Sequence, residues 1–250
     1  MRTLLAGLVL LIATPPCAAV VILASLLGVP EGPNSIYQRM ARFWARLLVR
    51  AAGVETRVHG DERISATVPR VYVANHVSWY DVFTVASVLP RWSFVAKAEL
   101  RKIPIFGKGA EAVGTVFIER QNRKAAFATY ERAAERIRAG ASVVVCPEGT
   151  RGDEYALRAF KKGPFVLAIA SQVPIVPVIV HGTRAGAAAA ADLGFAQPNA
   201  VRARLAEAAT LDARHRRFQA ALWSVYQAPP LGVRLADGGT LICRCEHVDR

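Results

Sequence analysis

His76 and Asp81 stand five residues apart in "ANHVSWYDV", residues 74–82, directly after an apolar run. A histidine with a carboxylate on one ring nitrogen can work as a general base. The carboxylate fixes the tautomer and leaves the other nitrogen to take a proton. The same two residues also make an ordinary salt bridge around a buried histidine, and the spacing alone does not choose between these. In a regular helix they would project about 140° apart. Contact therefore requires His76 in a loop closing a strand and Asp81 in the first turn of the helix that follows, with Ser78 placed to cap that helix.

Further stretches put charge or turn chemistry at the ends of apolar runs. "WSFVAK" (92–97) ends in Lys97 and "GTVFIER" (114–120) ends in Arg120. "CPEGTRG" (146–152) runs from a strand into a Pro-Glu-Gly-Thr-Arg turn. Gly149 permits close backbone approach, and Thr150 and Arg151 supply a hydroxyl and a guanidinium fork suited to phosphate. "VPIVPV" (173–178) has two prolines three apart in an apolar run, the pattern of a rigid edge strand that could wall a substrate tunnel.

Bringing these residues together requires a scaffold that collects strand ends. The spacing predicts strands at 54–60, 70–75, 92–97, 114–119, 141–146 and 174–180, and helices at 78–89, 124–140 and 163–172. Such alternation argues an α/β domain with a largely parallel, buried sheet. Ligands of such sheets gather beyond the carboxyl ends of the strands. His76, Lys97, Arg120 and the segment from Glu148 to Arg151 all lie at or just past such ends. Surface charge explains each residue singly but not their convergence. After Gly182 the alanine-rich "TRAGAAAAADLG" reads as a boundary or linker.

The first 53 residues have another character. Thr3 to Pro30 contains no charged residue, and as one helix would reach about 40 Å, enough to cross a bilayer core. Pro15 and Pro16 interrupt it, so the choices are a kinked single crossing or two short helices dipping into one leaflet; a cleaved signal peptide is a third reading. "SIYQRMARFWARLLVRAAG" (35–53) repeats arginine at 39, 42, 46 and 50 with Phe43 and Trp44 between. This is a basic amphipathic helix, either apposed to an anionic membrane or packed on the domain core. The arginines put the following domain on the cytoplasmic side.

Composition agrees with a membrane setting and an anionic ligand. The 250-residue chain is 53% hydrophobic, with 32 Lys and Arg against 19 acidic residues and a formal net charge of +13. Its mean hydropathy is +0.25. Nucleic acid fits the charge, but no recognisable nucleic-acid module is present and the apolar segment would be left without a role. Cys17, Cys146, Cys243 and Cys245 are too few and scattered for a disulfide framework, which suits a reducing compartment.

The ordered set "NHVSWYD", "FVAKAELRKIPIFGKGAEAVGTVFIER", "PEGTR", "FKKGPFVLAI" and "VPIVPV" resembles the lysophospholipid acyltransferase family, specifically the bacterial 1-acylglycerol-3-phosphate O-acyltransferases, over roughly residues 36–182. The resemblance implies a glycerol-3-phosphate acyltransferase-like α/β fold, a mixed, largely parallel sheet flanked by helices, behind an N-terminal membrane-associated segment. It implies that His76 deprotonates a lysophospholipid hydroxyl, that Asp81 orients His76, and that acyl-CoA or acyl-ACP is the donor. Glu148, Gly149, Thr150, Arg151 and Arg120 would hold the glycerol phosphate, with Lys97 in the matching basic position. Neither a metal, a cofactor nor a covalent acyl-enzyme is implied, and Cys146 reads as packing. Partners would be the lysophospholipid, the acyl donor and anionic inner-membrane lipids. Lyso-ornithine lipid is an alternative acceptor, and a catalytically dead membrane-binding protein an alternative reading.

The expected organisation is membrane-anchoring helices at 1–53, a catalytic domain at 54–184 and an atypical tail at 185–250. The end of that tail resembles the start of a ferredoxin-like [2Fe–2S] domain, in which "CRCE" supplies two ligands. A thiolate-held cluster needs four, and Cys243 and Cys245 are the two at hand.

Overall fold

Five parallel strands present their carboxyl ends along one edge of a seven-stranded sheet, and that edge carries the residues of interest. The structure is a computed structural model that describes residues 2–59, 61, 64–119, 121–152, 158–183, 190–195, 233–234 and 240–241. The strands are β1 (Glu55–His59), β2 (Val71–Ala74), β3 (Ser93–Lys97), β4 (Val116–Ile118), β5 (Val143–Val145), β6 (Ile175–His181) and β7 (Ala190–Phe195). Their order is β1-β7-β6-β2-β5-β3-β4. Strands β6, β2, β5, β3 and β4 form the parallel block, while β7 runs antiparallel to β6 and parallel to β1. The expected mixed, largely parallel sheet is present.

The central strands are valine-rich because both faces are covered. On one face, Val71, Val73, Val143, Val145, Ile175 and Ile179 pack with Ala134 and Ile137 of α5 (Arg123–Arg138) and Phe165 and Leu167 of α6 (Gly163–Ser171). On the other, Tyr72, Ala74, Val144, Val176, Val178 and Val180 meet Ala41 and Ala45 of α2 (Ile36–Ala52) and Val85, Ala86 and Leu89 in and after α3 (Tyr80–Val88). The period-2 alternation along each strand thus splits one valine run between two cores.

α2 is both things its sequence offered. Its alanine and leucine face is buried in the domain, while Arg39, Arg46, Arg50 and Phe43 are exposed on the opposite side. Half-buried Arg42 completes that row, its guanidinium held below the ordinary arginine range by burial and then by Arg46 and Arg39. α1 (Arg2–Leu26) is a single helix with Pro15 and Pro16 inside it, so of the two arrangements left open by the sequence it is the single helix that forms. Thr14 helps explain its continuity. Its hydroxyl donates to Leu10 O, and Trp44 Nε1 of α2 donates to that hydroxyl at 3.0 Å, so α2 braces the turn before the prolines. At about 1.5 Å per residue α1 is about 37 Å long. Its 18-residue window of mean hydropathy 2.3 makes it long and apolar enough to cross a membrane by length and composition. Leu4, Leu8, Leu11, Ile12, Leu23 and Leu26 are all more than half exposed on it, an apolar surface large enough to mark an interaction with lipid or protein.

Three expectations fail in instructive ways. β6 is an interior strand, not an edge, and tolerates Pro177 because pairing with β7 begins only at Val178, one residue later; Pro174 precedes the strand. The alanine-rich segment read as a linker contributes β7, so the sheet continues past the boundary drawn at residue 184. A 3-10 turn (Ala98–Lys102) and α4 (Phe106–Ala112) were not anticipated. α4 contains two glycines, poor helix formers, each required by contact. A Cβ at Gly109 would stand 2.8 Å from Ala18 Cβ of α1, and one at Gly107 would meet Arg101 O. In the tail, Val233–Arg234 and Thr240–Leu241 pair antiparallel; Cys243 and Cys245 lie outside the described residues.

Candidate active site

The His76 loop is built from the end of β2. Asn75, buried, clamps that end to β6: its Nδ2 donates to Val180 O at 2.9 Å and its Oδ1 accepts from Val180 N–H at 2.7 Å. The chain then turns through His76–Ser78 into α3, whose second residue is Asp81. Asp81 Oδ2 lies 2.9 Å from His76 Nδ1 and also accepts from the Val77 and Ser78 amides, each at 2.7 Å. Asp81 Oδ1 accepts from the Thr183 hydroxyl. An ionised carboxylate only accepts, so Nδ1 donates to it, and in the neutral imidazole Nε2 is then the nitrogen left for a substrate. The His76 side chain is 19% exposed and that of Asp81 3%, which leaves the imidazole reachable and the carboxylate sealed. Ser78 does not hold the cap position, which belongs to Trp79; its hydroxyl accepts from Tyr80 N–H at 3.3 Å instead.

The second turn follows β5 and is locked onto the first. Gly149 N–H closes it on Cys146 O at 3.1 Å. Glycine is needed there twice over: its φ is +73°, and a Cβ would stand 2.9 Å from Lys161 Cγ. Glu148 is buried, and its two oxygens are both taken by backbone amides, Oε1 by His76 N–H at 2.9 Å and Oε2 by Arg158 N–H at 3.3 Å. Burial pushes its carboxyl above the ordinary value, with the two amides pulling the other way. Gly152 N–H donates back to His76 O at 2.8 Å. The Arg151 guanidinium sits 5.2 Å from the centroid of the exposed Trp79 ring, a cation–π contact between the two turns.

The sequence-predicted residues therefore divide. His76, Asp81, Glu148, Gly149 and Arg151 are brought together, and exposed Thr150 lies in the same turn. Lys97 is exposed at the end of β3, on the same edge but two strands from β2, which is roughly 10 Å at ordinary strand spacing. Arg120 lies outside the described residues. Glu148, which the resemblance gives to the glycerol phosphate, is buried with both oxygens taken by backbone amides. Sequence reasoning missed Asn75 and Thr183, which act by hydrogen bonds no spacing reveals. It also gave no role to Arg158 and Lys161. Lys161 stood in the quoted "FKKG", and its stem crosses Gly149.

This geometry coincides with a family signature. The Acyltransferase family model matches residues 55–181, a little over half of the chain. The chain belongs to this family.

Among family relatives, the 1-acyl-sn-glycerol-3-phosphate acyltransferase of Haemophilus influenzae is 36% identical over 147 residues, 58% of this chain and 60% of that protein. The lyso-ornithine lipid O-acyltransferase of Pseudomonas aeruginosa is 34% identical over 149 residues, covering 60% of this chain and 56% of that one. A chloroplastic 1-acyl-sn-glycerol-3-phosphate acyltransferase of Brassica napus is 34% identical over 145 residues, 58% of this chain and 42% of that protein. The chain spans about half the length of the curated relatives it matches. In fold it is similar to the crystal structure of the 1-acyl-sn-glycerophosphate acyltransferase PlsC of Thermotoga maritima, with a TM-score of 0.67 and 19% identity over 90% of this chain and 94% of that one.

Within the family match, the site offers a base and a cationic rim. Arg151, Arg158, Lys161 and Lys162 are all exposed around the Gly149 turn, and among the described residues of this segment the acidic side chain, Glu148, is buried beneath it. The rim suits a phosphate or another anion. Among the described residues no group of three or more His, Cys, Asp or Glu side chains is placed to hold a metal.

Proposed function

We propose that this chain transfers a fatty acyl group from a thioester donor, acyl-CoA or acyl-ACP, to the sn-2 hydroxyl of 1-acylglycerol 3-phosphate, giving phosphatidic acid. The observation that carries this reading is the His76 Nδ1–Asp81 Oδ2 contact of 2.9 Å beside a cationic turn fixed to the same loop. His76 Nε2 takes the proton of the acceptor hydroxyl as its oxygen attacks the thioester carbonyl. The C–S bond then breaks, the new ester forms, and the departing thiolate receives the proton from His76. Arg151 and Thr150, with Lys161 and Arg158 beside them, hold the acceptor phosphate. Lys97 serves the same edge from β3, and Arg120 is assigned to it from its sequence position. Glu148 works underneath, holding the His76 amide. The arginine row of α2 and the exposed apolar side of α1 would seat the domain on an anionic membrane, on the cytoplasmic face of the inner membrane.

Lyso-ornithine lipid is the second acceptor reading, favoured by relatives of that name at 34–36% identity. An ornithine headgroup offsets its carboxylate with an ammonium, whereas a phosphate monoester brings negative charge alone, so charge at the cationic rim favours the phosphate acceptor. Detergent-solubilised protein given acyl-CoA and lysophosphatidic acid should release thiol above blank, and His76→Ala should abolish it. Release that survives in His76→Ala refutes the base assignment. Faster turnover on lyso-ornithine lipid moves the acceptor assignment.

A further inference from the structure

We propose that Thr183 is a positioning residue for acyl transfer, its hydroxyl fixing the Asp81 carboxylate in the rotation that holds His76 as a base. The inference rests on the reading of His76 as general base. Three donors converge on Asp81 Oδ2, the His76 ring N–H and the amides of Val77 and Ser78. Oδ1 has one donor among the described residues, the Thr183 hydroxyl. The terminal torsion of a carboxylate is broad and roughly two-fold, so packing of the Asp81 stem alone does not select which oxygen meets the imidazole. Donors to both oxygens do. Thr183 is fully buried, so no water is at hand to replace its hydroxyl.

The backbone delivers that hydroxyl from a second strand. Gly182 takes φ +83° and redirects the chain directly after β6 ends at His181. Three residues before Thr183, Val180 is doubly hydrogen-bonded to Asn75, the residue before His76. The Asn75 clamp thus sets the distance between the strand end that carries the base and the one that carries the hydroxyl. Thr183 lies two residues beyond the family match. A rigid support of this kind is what keeps a catalytic pair within a fraction of an ångström of its working geometry.

The test measures thiol release with acyl-CoA and lysophosphatidic acid for wild type, Thr183→Val, Thr183→Ser and His76→Ala, with a melting curve for each. Thr183→Val keeps the shape and removes the donor; kcat should fall about tenfold, the effect of one hydrogen bond to a charged acceptor. The KM values should stay within about twofold, since no substrate contact is lost. Thr183→Ser should return kcat to near the wild-type value. Should Thr183→Val fail to fold, Thr183→Ala is compared with Thr183→Ser in the same way. An unchanged kcat in the hydroxyl-free variant, or a Ser variant as slow as the Val one, overturns the inference while wild type remains active. A wild type that releases no thiol, or an active His76→Ala, removes the base reading itself and the inference with it.

Discussion

Glu148→Gln separates a residue that supports the base from one that binds substrate. The carboxylate of Glu148 accepts the amides of His76 and Arg158, one on each oxygen, and the side chain is buried. Glutamine keeps the volume but has one acceptor oxygen, so its NH₂ must confront one of the two amide donors. A buried donor left without an acceptor costs about 1–3 kcal/mol. A chain of this size loses about 2–4 °C of Tm per kcal/mol, so a mid-range cost predicts a fall of roughly 4–8 °C. Because one of the two donors is the amide of His76, the loop should shift and kcat fall by about tenfold or more. Acceptor KM should change little. Thermal melts and thiol-release kinetics on the same preparation give both numbers. A variant with wild-type Tm and kcat but a raised acceptor KM would show Glu148 touching substrate and refute the supporting role. The pH dependence adds a second readout. With its carboxyl pushed up by burial, the folded protein binds more protons than the unfolded chain above the ordinary glutamate value of about 4.5. This group therefore makes stability fall as pH rises from there through the raised value. Glu148→Gln should lack that component of the slope.

Other consequences can be checked directly. Gly149→Ala forces a side chain into φ +73° and against Lys161 Cγ, so it should cost about 1–3 kcal/mol in a melt and raise acceptor KM. Trp79→Leu removes the aromatic face under Arg151, and acceptor KM should rise several-fold, the worth of an exposed cation–π contact, with kcat held. Replacing Arg39, Arg46 and Arg50 together by glutamine should weaken sedimentation with anionic vesicles by about 1 kcal/mol per residue, an effect that vanishes in high salt. Unchanged vesicle binding would assign attachment to α1 alone.

What the sequence made legible follows from which forces are local. Strand and helix periodicity located β1 to β6, α3, α5 and α6, because burial on two faces demands valine runs and because α5 ends on charged turns and a glycine. α4 was hidden: its glycines argue against a helix, and the reason for them is the backbone of Arg101 and the Ala18 side chain of α1. β7 was hidden for a related reason. Alanine is a weak strand former, and the segment is a strand because β6 and β1 offer it hydrogen bonds on both sides. In the site, His76 and Asp81 could be read because their chemistry is in their side chains. The two backbone partners of Glu148 could not be read, because a carboxylate that accepts from two amides looks, in sequence, like one that faces a ligand. Thr183 stands 102 residues from Asp81, and only the adjacency of β2 and β6 joins them.

Helix packing also ties the proposed membrane contact to the proposed base. α2 packs on the sheet face opposite α5 and α6 and against α3, the helix that opens with Asp81. Arg46 Nε donates to Ser87 O near the end of α3 at 3.0 Å, and Trp44 meets Phe83 of α3 edge to face at 5.4 Å. The same Trp44 braces α1 through Thr14 and lies tilted against Phe106 of α4, ring centroids 6.2 Å apart. One aromatic side chain of α2 therefore meets three other helices, α1, α3 and α4. A lipid acceptor must be met at a fixed height, since its hydroxyl lies a few bonds from the headgroup. If the arginine row rests on a membrane as proposed, α2 holds α3 at that height, and α3 holds Asp81 and through it His76. Trp44→Ala should accordingly reduce turnover on lysophosphatidic acid presented in vesicles more than on the same acceptor dispersed in detergent. Equal losses in both would show that Trp44 stabilises the fold without setting the position of the base.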